Sequence, residues 1–390
     1  MPKTRSLPDL TETPEQRAFR AEVRAFLHSE PVTESVRRIR SAPPGDEPGL
    51  IEIYRWLGER GWLAPSWPQR YGGLSRGMAE AAIVTEEICL AGVPDDAHVL
   101  SIDIVGMFLL GVGTEEQRAR WLPPLARGEK IAAVLFTEPE CGSDLSRLTT
   151  RADPDGDGWR LSGTKVFNQK TQFAEIALCA ARTSTGPVPF DGITLFLVPL
   201  HSPGVVIRPV ENITNDRFNE VVIDGVRLTE ADVVGEVGDG WRLLNEMLVF
   251  ERTGIDFHAK IRRWLDAVAP EALKKDADPD LAARFVDLDA KLRAGRALAW
   301  RVIAEIDQGT PDPATAAMVK WYVTEQARDV IRFCLEARGL PGVLSAWDPE
   351  AAADLGLIEA ACRHAPTLRL GSGTSEVMLY IIASTALELL

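Results

Sequence analysis

Apolar positions recur along the chain with three different periods in turn, and that succession predicts the architecture. From Thr13 the spacing is helical. Thr13-Pro14-Glu15 supplies a capping hydroxyl, a first-turn proline and an acid at the positive end of the helix dipole, and Phe19, Val23, Phe26 and Leu27 share one face. A second helix carries Ile53, Trp56 and Leu57, and a third spans Met78 to Leu90 and includes Glu86-Glu87, which read as a solvated face. The segment from Val99 to Leu110 is apolar on most sides and predicts a buried helix, and Thr114-Glu115-Glu116-Gln117 has the spacing of a capping box.

From Ile131 the pattern shortens to strands. Ile131–Phe136 opens the series and Leu148–Ala152 resumes it. Asp-Pro-Asp-Gly-Asp-Gly over Asp153–Gly158 reads as a turn before a pair at Trp159–Leu161 and Lys165–Phe167. Ile176–Ala181, Thr194–Val198, Val205–Val210 and Glu220–Ile223 follow, and short strands with turn signals between them predict a small barrel or sandwich. Helical spacing returns at Gly240: Trp241–Val268, Pro279–Gln308, Pro313–Ala337, Glu350–Cys362, and a last helix after Gly371-Ser372-Gly373-Thr374. The expected class is α+β in three domains: helical 1–130, β 131–236, and a helical bundle 237–390.

Composition narrows the function. With 390 residues the chain can bury a substantial core, and a net charge of −14 disfavours nucleic acid and anionic membranes as partners. Any phosphate-rich ligand must then meet a local basic patch. Five scattered cysteines without a Cys-x-x-Cys fit a reducing, cytoplasmic setting, and neither a disulfide scaffold nor a metal site is expected. No signal core or bilayer-length apolar run appears.

Three stretches carry chemistry: Thr137-Glu-Pro-Glu-Cys-Gly-Ser-Asp144, Gly163-Thr-Lys-Val-Phe167 and Gly235-Glu-x-Gly-x-Gly-Trp241. A strand-end loop of hydroxyls and glycine offers hydrogen bonds and close backbone approach to a flat polar ligand. In order and spacing these stretches, with Gly61-Trp62, Trp67-Pro68 and Tyr71-Gly-Gly73, resemble the acyl-CoA dehydrogenase family over nearly the whole chain. The resemblance implies FAD as cofactor, an acyl-CoA as substrate and electron-transfer flavoprotein as acceptor. It also implies a tetramer built as a dimer of dimers, homomeric or heteromeric, and a place in fatty-acid or lipid catabolism.

The family's reaction takes a proton from the carbon alpha to the thioester and sends the β-hydride to flavin, giving a trans-2-enoyl-CoA. A carboxylate base is needed, and desolvation strengthens it. The usual Glu of a Glu-Gly-Thr triplet is Ser372 here. A minority of the family carries the base on the long helix after the β domain, immediately before an arginine, and Glu251-Arg252 stands there. Leu244, Met247, Leu248 and Ile255 make an apolar stripe on which Glu251 falls, so the expected base is Glu251, against a structural ion pair as the plainer reading.

Carried over by the same resemblance, Leu135, Phe136, Thr137, Gly142, Ser143, Phe167, Gln169 and Thr374 are the expected FAD contacts, with Arg284 as the nearest basic candidate where the family's Arg-x-x-Phe-Gly is missing. Ser143, Arg252 and Ser372 are the expected substrate contacts. Glu336 stands where a glutamine usually meets the ADP part. Two other readings stay open: a non-catalytic partner subunit of a hetero-oligomeric dehydrogenase, and an acyl-CoA oxidase or flavin hydroxylase on the same fold.

Overall fold

The computed structural model describes residues 11–43, 45–214, 216–276, 278–348 and 356–389, with the side chains of 247–251 outside that description. In chain order the helices are α1 (Pro14–Leu27), α2 (Glu30–Ser41), α3 (Leu50–Gly58), α4 (Met78–Ala91), α5 (Asp96–His98), α6 (Met107–Val112) and α7 (Glu115–Ala126). After the strands come α8 (Gly240–Glu251), α9 (Ile255–Ala267), α10 (Ala269–Ala272), α11 (Pro279–Asp307), α12 (Pro313–Arg338), α13 (Leu357–Leu368) and α14 (Ser375–Ile381). Packing divides them into two compact units. One holds the chain through Leu50, Arg76–Asp95 and everything from Arg252, and the other holds Ile51–Ser75 and Asp96–Glu251.

In the first unit α1, α4, α9, α11 and α12 bury their apolar faces on one another, with Val23, Ile83, Ala259, Ile261, Val302 and Val323 fully enclosed. Thr13 caps α1 as its hydroxyl indicates, and Gln16 completes a capping box with it. Glu86 and Glu87 overturn the expectation of a solvated face, because they are 2% and 1% exposed. Helix α4 has almost no polar side, and three arginines from other helices reach in to it. Arg20 pairs with Glu86 at 2.8 Å and with Glu87 at 2.7 Å, Arg24 meets Glu87 at 2.8 Å, and Arg296 of α11 meets Glu86. Buried carboxylates are tolerated when paired in this way. His258 of α9 lies close enough to this cluster to feel Glu86 and Arg296. Burial, opposed only in part by Glu86, pushes its pKa down to about 4.

The expected single helix Trp241–Val268 is two. Gly254 takes a left-handed φ of +74°, α8 ends at Glu251 and α9 begins at Ile255. The apolar stripe through Glu251 therefore does not continue to Ile255, because the reversal at Arg252-Thr253-Gly254 breaks the helical phase. Helix α13 starts at Leu357, and the 350–355 part of the expected Glu350–Cys362 helix lies outside the described residues.

The second unit is built on one mixed sheet of β1 (Ala132–Leu135), β2 (Arg151–Asp155), β3 (Gly158–Gln169), β4 (Ile176–Arg182), β5 (Ile193–Pro199), β6 (Val205–Val210), β7 (Phe218–Thr229) and β8 (Val233–Val234). Their order is β6-β7-β3-β2-β4-β5-β8, with β1 parallel to β4. β4 and β5 are buried almost end to end, as interior strands covered on both faces are, whereas β7 alternates and β3 buries only Gly158, Leu161, Lys165 and Asn168. The two short strands expected at Trp159 and Lys165 are one continuous β3, and β2 runs into it through a tight turn at Gly156-Asp157.

The Val99–Leu110 segment departs from a regular helix. Val99–Gly106 is a π-helix, and a Cβ on Gly106 would fall 2.1 Å from the Trp67 ring. Ser101 fixes it to the sheet, its hydroxyl accepting from the Ala132 amide at 2.9 Å. Among the described residues no helix is long and apolar enough to cross a membrane, and no group of histidine, cysteine or acidic side chains has the arrangement of a metal site.

Candidate functional site

The loop after β1 is held from beneath by a buried ion pair. Lys165 Nζ donates to Glu138 Oε1 at 2.8 Å and to the Phe136 carbonyl at 3.1 Å, and the two side chains are 0% and 2% exposed. Glu138 also accepts from the Thr149 amide at 2.6 Å, the Thr149 hydroxyl at 2.7 Å and the Thr150 amide at 2.9 Å. Burial alone would raise the Glu138 carboxyl, but the Lys165 ammonium and these donors outweigh it and hold it at about 2. The carboxylate is therefore a fixed support rather than a proton carrier at neutral pH.

Above that support the structure gathers most of the expected cofactor residues at one end of the sheet. Leu135 closes β1 and is buried, and Phe136 and Thr137 are half-buried. The Val166 amide donates to the Thr137 carbonyl at 2.9 Å, which ties the loop to β3 directly before Phe167. Glu138 and Cys141 exchange backbone hydrogen bonds of 2.8 and 3.1 Å, and the tight turn leaves Gly142 and Ser143 exposed. A Cβ on Gly142 would meet only the Thr137 methyl, at 3.5 Å. Phe167 is 60% exposed, its ring edge-on to Phe218 at 6.5 Å, and Gln169 ends β3 opposite Phe218. An outward aromatic ring beside hydroxyls and open backbone amides fits a flat, polar, ring-shaped group.

The remaining expected residues fall in the first unit. Ser372 and Gly373 take φ of +56° and +90°, and Thr374 caps α14 by accepting from the Val377 amide at 3.2 Å. Two cationic side chains approach this turn. Lys320 of α12 is fully buried and donates from Nζ to the Gly373 carbonyl at 2.7 Å, and a Cβ on Gly373 would lie 3.7 Å from a terminal nitrogen of Arg252. Arg252 and Ser372–Thr374 are thus brought together. Arg284 stands apart from them. It pairs with Glu336 at 2.6 Å and lies over the Phe333 ring at 5.4 Å. Its guanidinium is already matched by the acid that replaces the family's glutamine. Glu251 closes α8, and its side chain lies outside the described residues.

Sequence reasoning missed Lys165, Glu138 and Lys320 as supports. A lysine inside the apolar alternation of β3 was the available signal for the first two. For Lys320 the sequence offers none, because its acceptor is a carbonyl 53 residues away.

Comparison with known proteins agrees with this geometry. Three family models match in succession: the acyl-CoA dehydrogenase N-terminal domain over 13–129, the middle domain over 133–226 and the C-terminal domain over 238–387. Acyl-CoA dehydrogenase FadE26 of Mycobacterium tuberculosis is 30% identical over 399 residues, covering 97% of this chain and 98% of that protein. Acyl-CoA dehydrogenase IpdE1 of Mycolicibacterium smegmatis is 30% identical over 348 residues, 84% and 88% of the two chains. Among solved structures, one described as Tcur3481-Tcur3483 steroid ACAD is 30% identical with a TM-score of 0.89, covering 98% of this chain and 99% of that one. The ChsE4-ChsE5 complex from Mycobacterium tuberculosis is 29% identical with a TM-score of 0.88, covering 98% and 100%.

Proposed function

The chain belongs to the acyl-CoA dehydrogenase family, and from that premise we propose that it oxidises a bulky, ring-bearing acyl-CoA to the trans-2-enoyl-CoA with FAD as cofactor and Glu251 as base. The observation that carries the cofactor half is the hydrogen bond from Val166 to Thr137, which sets Thr137, Gly142, Ser143 and the exposed Phe167 ring at one end of the sheet. FAD, when bound, supplies the acceptor for the β-hydride. The chain's own groups do the rest. Thr137, Ser143 and the backbone from Leu135 onward hydrogen-bond and cradle the ring system, and Phe167 shields it from water. Glu251 takes the α-proton, and Arg252 with Ser372 positions the thioester end of the substrate. Thr374, on the turn that Lys320 holds from beneath, serves the phosphate side of the cofactor.

The ring-bearing acyl group is favoured because one close structural relative is described as a steroid enzyme. Electron-transfer flavoprotein is the acceptor by family analogy, and the assembly is a dimer of dimers. A second reading, in which this chain works only beside a different subunit, is favoured by the Arg284–Glu336 pair, which occupies the chain's own candidate arginine for the ADP half of the cofactor. Both structural relatives named above are themselves described by two protein names.

The test is the visible spectrum of the purified protein, followed by anaerobic addition of a panel of acyl-CoAs. A yellow protein whose flavin band bleaches with a ring-bearing acyl-CoA supports the first reading. A colourless protein that becomes yellow and active only on mixing with a second chain supports the other. A protein that takes up no flavin under either condition overturns both.

A further inference from the structure

Two left-handed residues stand three positions apart at the end of β3, Phe167 within the strand at φ +59° and Lys170 just past its last residue at φ +59°. Neither is glycine, and a bulky aromatic in this region is a backbone outlier that the surroundings must hold in place. The pairing with β7 shows where the distortion is absorbed. Lys165 faces Val221 and Asn168 faces Asn219, so β3 carries one residue more than β7 and forms a bulge. The extra residue turns the Phe167 ring outward, to 60% exposure, while Asn168 is drawn in to 4%.

What holds the bulge is a pair of amides. Asn168 Nδ2 donates to the Asn219 carbonyl at 3.3 Å, and Asn219 Nδ2 returns a bond to the Asn168 carbonyl at 3.3 Å. Asn219 is fully buried, both of its amide protons are donated and its oxygen accepts. The second Nδ2 proton goes to Gln172 Oε1 at 2.8 Å, and Oδ1 accepts from Arg217 Nε at 3.2 Å. A planar group with both protons and its oxygen committed to fixed partners leaves the intervening backbone little freedom to relax.

We propose that Asn219 is a positioning residue for the reaction: through its amide pair with Asn168 and its bond to Gln172 it holds the bulge that aims Phe167 at the flavin. This rests on the functional reading above, in which Phe167 faces the cofactor. Asn219 itself touches neither cofactor nor substrate in this assignment, so its effect must pass through Phe167.

That dependence gives the test, a double-substitution cycle on the flavin-loaded enzyme. Asn219→Asp keeps the shape but removes both donated protons. Phe167→Gly removes the ring and accepts the left-handed backbone without strain. In the wild-type background Asn219→Asp is expected to change the bound flavin's fluorescence and midpoint potential. It should also lower kcat by on the order of tenfold to a hundredfold, with KM little moved. In the Phe167→Gly background it is expected to add nothing further to those flavin signals. If Asn219→Asp does not fold, Gln172→Leu removes one acceptor and is expected to reproduce the shift, while Gln172→Glu, which still accepts, is not. Equal shifts in both backgrounds, or a Gln172→Leu flavin identical to wild type, overturn the proposal alone. A wild-type chain that binds no flavin, by itself or with a second subunit, overturns the functional reading and the proposal with it.

Discussion

Glu138 and Lys165 meet at 2.8 Å with neither side chain more than 2% exposed. Removing one member of such a pair leaves the other charged and buried, which costs more than the pair itself contributes. Lys165→Met is therefore expected to destabilise the protein by on the order of 3–5 kcal/mol, read by urea unfolding. The double substitution Glu138→Leu with Lys165→Met should recover most of the loss. A single variant that unfolds at the wild-type urea concentration would show that Glu138 finds another cation.

The same carboxylate sets an acid limit. Its folded pKa of about 2 lies below its ordinary 4.5, so the folded state binds fewer protons than the unfolded one between those values. The stability it contributes is complete above pH 4.5 and lost as pH falls toward 2, by on the order of 3 kcal/mol. Glu138→Gln with Lys165→Met should flatten that part of the unfolding curve.

His258 acts at milder pH and by the opposite chemistry. It is buried neutral, with a pKa moved from 6.5 down to about 4, so protonation is disfavoured in the folded state. Between pH 6.5 and 4 the unfolded chain takes up the proton and the folded chain does not. Stability therefore falls across that window as pH drops, by on the order of 3 kcal/mol. Thermal unfolding of wild type and His258→Gln between pH 7 and 4 checks this, and parallel curves would refute it.

Glu251→Gln is expected to leave flavin bound and to slow its reduction by substrate by about 10²–10⁴-fold, the range of a positioned general base. Anaerobic stopped-flow reduction measures it. Normal turnover would move the assignment to Glu376, which is exposed in the first turn of α14.

Glu336→Gln restores the residue usual in the family and frees the Arg284 guanidinium from its 2.6 Å partner. If Arg284 serves the phosphates of FAD, the variant binds FAD more tightly, by about tenfold for one charge-assisted hydrogen bond. Equilibrium flavin-fluorescence titration decides it, and unchanged affinity would place Arg284 away from the cofactor.

Local signals in the sequence were enough for much of this. The loop at Thr137–Asp144, the capping hydroxyl of Thr13, the capping box at Thr114 and the strand Val205–Val210 stand where the residue pattern indicates, because each depends on neighbours within a few positions. What escaped depends on distant partners. Glu86 and Glu87 look like a polar face until arginines 63 to 210 residues away turn inward to meet them. Gly254 sits in a helical pattern that tolerates one glycine, and only packing converts it to a break. The outward turn of Phe167 follows from a bulge registered against Asn219, a pairing that no local rule assigns to a phenylalanine. Helix α2 was overlooked because its apolar face is short, burying only Val32 and Val36 among apolar residues.

The carboxylate–arginine cluster of the first unit also imposes an order on synthesis. Glu12 and Arg296 are bonded at 3.3 Å yet lie 284 residues apart. At ribosomal rates of about 5–20 residues per second, Glu12 is made roughly fifteen seconds to a minute, and Glu86 roughly ten to forty seconds, before their last cation exists. Until then Glu12, Glu86 and Glu87 face two arginines rather than three, and the nascent helices hold an unbalanced negative charge. The first unit can close only once α11 has been translated, so its amino-terminal helices wait for a partner made long after them.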